Sequence, residues 1–68
     1  MYHSQVMETL VNRGPSTVAK IVEVLTEPGA TMYYVDVEAC LKDLARQGLV
    51  ESYEANGREV WRIKPKQE

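Results

Sequence analysis

The stretch from Val37 to Ile63, VEACLKDLARQGLVESYEANGREVWRI, constrains this chain more than any other. Val37, Cys40, Leu41, Leu44 and Ala45 recur at the three-and-four spacing of one apolar helix face. Arg46 and Gln47 follow, and then Gly48, the residue type that most easily takes the left-handed conformation closing a helix. Leu49 falls where a Schellman cap returns an apolar side chain toward Leu44. From Leu49 the chain reads as a strand, broken at Asn56-Gly57. A two-residue hairpin turn needs positive φ at both central positions, and asparagine followed by glycine tolerates it best. Arg58 to Ile63 is then the return strand.

Closing the hairpin around Asn56-Gly57 sets the register. Ala55 faces Arg58, Tyr53 faces Val60 and Glu51 faces Arg62 on one side; Val50 faces Ile63, Ser52 faces Trp61 and Glu54 faces Glu59 on the other. Val50, Trp61 and Ile63 form the expected core face. Tyr53 and Val60 lie outside, beside a Glu51–Arg62 cross-strand pair.

Upstream, Val6, Met7, Leu10 and Val11 share a helical face, with Ser4 as the expected N-cap and Gly14-Pro15 as the stop. A second helix begins at a cap that is either Ser16 or Thr17 and buries Val18, Ile21, Val22 and Leu25, while Lys20 and Glu23 point away. Thr26 to Thr31, TEPGAT, reads as a turn, with Pro28-Gly29 suited to a type II centre. Thr31 either caps a third helix or opens a short strand over Thr31 to Tyr33. That helix then runs from about Tyr34 to Gln47, with Tyr34 expected to pack on Val37 and Leu41.

The 68 residues allow one domain, with a core over about 4–64 and a polar tail over 65–68. Composition is that of a globular chain, 44% apolar and 26% charged, which argues against disorder. No apolar run approaches the length of a membrane span, and the first residues do not read as a signal peptide. The one cysteine, Cys40, cannot close an internal disulfide, so a reducing, cytoplasmic setting is expected. His3 and Cys40 lack further ligands at metal spacing, and Cys40 reads as a small core residue. No nucleophile–base set and no phosphate-cradling loop can be assembled, so neither catalysis nor a cofactor is expected.

Three helices followed by an Asn-Gly hairpin resemble the winged-helix domain family. The run Val37, Leu41, Leu44, Gly48, Leu49, Val50 looks like the segment shared by many of its small regulators. The fold implied is α+β: three helices, with the third as recognition helix, and a two-stranded hairpin as the wing. The resemblance implies a small transcriptional regulator that binds duplex DNA. Tyr33, Asp36, Ala39 and Lys42 would enter the major groove, while Arg46, Arg58 and Arg62 would hold phosphates, with Lys64 and Lys66 completing the basic set. Two features depart from the family pattern. The connection before the third helix is several residues longer, and Asp36 and Glu38 stand where polar or basic residues are usual. With a net charge of −2, these acids motivate an alternative, a winged-helix protein-interaction module without direct DNA contact. A homodimer through Met1, Tyr2, Val6, Tyr53 and Val60 is a further expectation.

Overall fold

A computed structural model describes residues 2–26 and 32–65. The elements are α1 (His3–Arg13), α2 (Val18–Leu25), α3 (Tyr34–Arg46), β1 (Val50–Ala55) and β2 (Arg58–Ile63), the α+β order expected of a winged helix.

The hairpin adopts the register read from the turn, from Val50 opposite Ile63 to Ala55 opposite Arg58. Asn56 and Gly57 both carry positive φ, 53° and 76°, as a two-residue turn of this hand requires. Gly48 sits at φ 80°. Its N–H donates to the Ala45 carbonyl at 3.0 Å, and the Leu49 N–H donates to the Leu44 carbonyl at 3.0 Å. These are the two bonds of a Schellman cap, and they turn the chain directly from α3 into β1.

One apolar core joins all five elements. Val6 and Leu10 of α1, Val18 and Ile21 of α2, Val37, Cys40, Leu41 and Leu44 of α3, Val50 of β1 and Trp61 of β2 are all buried. Met7, Val22, Leu25, Ala45 and Ile63 pack around them half-buried. Trp61 also anchors the wing by its backbone. Its N–H donates to the Ser16 carbonyl at 2.8 Å, and the Ser16 N–H returns a bond to the Trp61 carbonyl at 2.9 Å.

This pairing decides between the two candidate caps of α2. Ser16 spends its backbone N–H and carbonyl on Trp61 of β2, and its hydroxyl donates to the Gly14 carbonyl at 2.9 Å. Thr17 is therefore the cap, accepting from the Lys20 N–H at 3.1 Å, a contact of about 1 kcal/mol. Ser16 also supplies the third chain beside the hairpin, the place that Thr31 to Tyr33 would take in the strand alternative. Met32 and Tyr33 are not in a strand, and Thr31 lies outside the described residues with the rest of the expected Pro28-Gly29 turn. Tyr33 instead serves the start of α3, its carbonyl accepting from the N–H groups of Asp36 and Val37 at 3.1 Å each.

Three expectations are corrected at side-chain level. Ser4 lies inside α1, which starts at His3 after an N-cap, Tyr2, that makes no side-chain bond. The two extra residues follow from tertiary contacts, since Tyr2 packs on the core and His3 bonds to α3. Val11 is 68% exposed, and Thr9 takes the inward position, its hydroxyl donating to the Gln5 carbonyl at 2.9 Å. Tyr34 is 52% exposed, because Val37 and Leu41 bury themselves against α1 and α2 without it.

Candidate nucleic-acid interface

The faces of α3 separate cleanly. Val37, Cys40, Leu41 and Leu44 face the core. Opposite them, Val35, Ala39, Lys42 and Arg46 are all exposed. Steps of four, three and four residues cover about three turns of 3.6 residues, so these four side chains stack in one outward stripe. Its first half is apolar and its second half cationic.

The acids occupy the flank. Asp36 is half-buried and lines an open pocket of about 410 Å³ with Tyr2, His3, Ala39, Cys40 and Asp43, between α3 and the start of α1. Asp43 Oδ2 accepts from His3 Nε2 at 2.9 Å, which leaves Nδ1 of that ring to face the Cys40 thiol at 3.8 Å. The other Asp43 oxygen accepts from Arg46 at 2.9 Å, and Gln47 adds a bond at 3.2 Å. The hydrogen bond from His3, then that from Arg46, hold the Asp43 carboxyl below its ordinary pKa. The His3–Cys40 contact was invisible in the sequence, where the two residues stand far apart. Among the described residues no three ligating side chains gather to hold a metal.

The wing contributes differently. Arg58 starts β2 at the turn and is exposed. With Glu59 it lines a groove of about 320 Å³ against Tyr34 and the first residues of α2, Thr17, Val18 and Ala19. Arg62 lies on the outer hairpin face, bonded through Nε to Glu51 at 2.7 Å and stacked over the Tyr53 ring at 5.5 Å from its centroid.

Of the expected contact residues, then, Ala39, Lys42 and Arg46 share the outward stripe, Tyr33 stands exposed (61%) just before it, and Arg58 stands at the wing tip. Asp36 is turned to the α1 side, and Arg62 is engaged on the hairpin. Val35, 67% exposed, belongs to the stripe and was missed. Phasing the stripe from the buried face, rather than stepping by three from Tyr33, identifies it. Lys42 and Arg58 form no ion pair among the described residues, whereas Arg46 and Arg62 do. Both of those pairs are exposed and so are worth at most about 1 kcal/mol each. Val6 is fully buried, which removes it from the expected dimer surface, and Met1 and Lys66 lie outside the described residues.

No helix among the described residues is long and apolar enough to cross a membrane. The family model for the penicillinase repressor matches residues 2–68. Comparisons with curated proteins and with solved structures returned no match.

Proposed function

Since the chain belongs to the penicillinase repressor family, a family of winged-helix transcriptional repressors and not of enzymes, we propose that it represses transcription by binding duplex DNA with the outward stripe of α3 and the wing tip. The observation that carries this reading is the distribution of charge on α3. The chain as a whole is acidic. Yet the outward stripe holds Lys42 and Arg46 and no carboxylate, because Asp36 and Asp43 look toward His3 and Glu38 falls on the other flank, half-buried. A phosphate approaching the stripe meets cations first.

In this arrangement the first half of α3 enters the major groove. Lys42 and Arg46 stand further along the same stripe and take phosphates at its edge, and Arg58 takes one from the wing. Arg46 exchanges its exposed partner Asp43 for a phosphate at little cost. Arg62 does the same only by leaving both Glu51 and the Tyr53 ring, so it contributes least.

The test is fluorescence anisotropy with a labelled random-sequence duplex at about 50 and 200 mM salt, over which a handful of phosphate contacts loses orders of magnitude in affinity. Wild type is expected to bind at the lower salt and to release at the higher. Lys42→Ala with Arg58→Ala should flatten the slope of log affinity against log salt by about two. No binding at either salt would contradict the reading and favour a module that docks on another protein.

A further inference from the structure

We infer that the leading half of α3 reads the methyl groups of the major groove, so that preferred sites carry a 5-methylpyrimidine, ordinarily thymine, opposite Val35 and Ala39. This deepens the proposed function and rests on it.

The inference follows from what the leading half of the stripe offers. Val35 is 67% exposed and lies outside the core cluster. Ala39 is exposed one turn further on. Neither side chain can donate or accept a hydrogen bond. Two acids in this half could accept from a cytosine amine: Asp36 faces His3 and Tyr2 in the α1 pocket, and Glu38 is half-buried on the opposite flank, off the stripe. Lys42, the first cation of the stripe, comes two turns after Val35. Along the stripe, the leading half therefore presents methyl groups, with Tyr33 exposed just before them, and the half that follows presents charge.

In the major groove most base-edge groups are hydrogen-bond donors or acceptors, and the apolar one is the C5 methyl of thymine. A valine laid against a guanine or cytosine edge would desolvate polar groups without pairing them, which is unfavourable. Laid against a thymine methyl, it removes apolar surface from water on both sides. The charge on the same stripe fits this occupant, since Lys42 and Arg46 continue it toward phosphates. A greasy protein partner would have no use for them.

The test uses four duplexes of equal length: alternating A·T, the same with uracil for thymine, alternating G·C, and the same with 5-methylcytosine for cytosine. Each pair differs by the methyl group and keeps its hydrogen-bonding edges. Affinity at low salt should be higher for the methylated member of both pairs. One buried methyl is worth about 0.8 kcal/mol, or about fourfold. Val35→Ser with Ala39→Ser, both at exposed positions, should erase the methyl preference and leave the salt slope unchanged. Equal, salt-dependent binding within both pairs would overturn this inference and leave DNA binding standing. A methyl preference that persists in the double variant would overturn it as well, by assigning the contact elsewhere. Absence of binding to all four duplexes would overturn the proposed function and this inference together.

Discussion

The two ends of α3 are built on opposite principles. At the C-terminal end Gly48 closes the helix with two backbone bonds, and Lys64 at the end of the hairpin donates to the Leu49 carbonyl at 2.9 Å. Chain direction into β1 follows at once, the Asn56-Gly57 turn then sets the hairpin register, and Ser16 anchors Trp61 in β2. At the N-terminal end Tyr33 is extended, with φ −105° and ψ 143°, and offers no side-chain cap. Tyr33, Tyr34 and Val35 are all exposed. One end is held by backbone geometry and core packing, and the other carries Tyr33, Tyr34 and Val35 outside the core, all more than half exposed. The comparison teaches that exposure at the leading end of α3 is not poor packing. The same helix buries Val37, Cys40, Leu41 and Leu44 efficiently, so the Val35 stripe is a surface left available.

That contrast can be broken first at its strongest point. Trp61→Ala should cost about 3–5 kcal/mol, the range for emptying a large buried aromatic site. In so small a domain that approaches the whole stability. Urea unfolding followed by circular dichroism would register it, and a loss under about 1 kcal/mol would mean that the wing is not anchored as described.

Gly48→Ala should come next, at about 1–2 kcal/mol, since a side chain in the left-handed region is strained. A Cβ there would meet no atom within 4 Å, so this cost is conformational and not steric. It is read as a lower urea midpoint with unchanged m.

Asp43→Asn sharpens the comparison from the flank, with a smaller effect that depends on pH. The hydrogen bonds from His3 and Arg46 hold the carboxyl of Asp43 below its ordinary value in the folded state. A lowered folded-state pKa contributes stability that is fully present above the unfolded value, about 3.9, and is lost as pH falls through the folded one. Wild type should therefore exceed the variant in urea midpoint near pH 6, and the gap should close below about pH 4. A gap that is independent of pH would show that the carboxylate's charge is not what joins α1 to α3.

The closed end was also the legible end. Val37-x-x-x-Leu41-x-x-Leu44, Gly48 and Asn56-Gly57 act through local rules, namely helical periodicity, a left-handed cap and a two-residue turn. The structure reproduces the helix, the cap and every pair of the hairpin register. What eluded the sequence depends on neighbours remote in the chain. Ser16 and Thr17 are equivalent as caps until β2 recruits the backbone of Ser16. His3 reads as part of a lead-in until Asp43 accepts its hydrogen bond. Asp36 and Val35 are adjacent, and which of them faces outward depends on the exact phase of α3 against α1, set by how Val37, Cys40 and Leu44 seat in the core. A one-residue error in that phase moves a carboxylate onto the proposed reading face and a valine off it.

The central claim is that the outward stripe of α3, with the wing tip, is the DNA-facing surface. Amide chemical-shift mapping with an unlabelled duplex at low salt tests it most directly. The account predicts shifts concentrated at Tyr33, Val35, Ala39, Lys42 and Arg46 and at Asn56 to Arg58, with little change at Val11 on the far side of α1. Shifts confined to the outer hairpin face around Tyr53 and Val60, or no shifts at all, would contradict it.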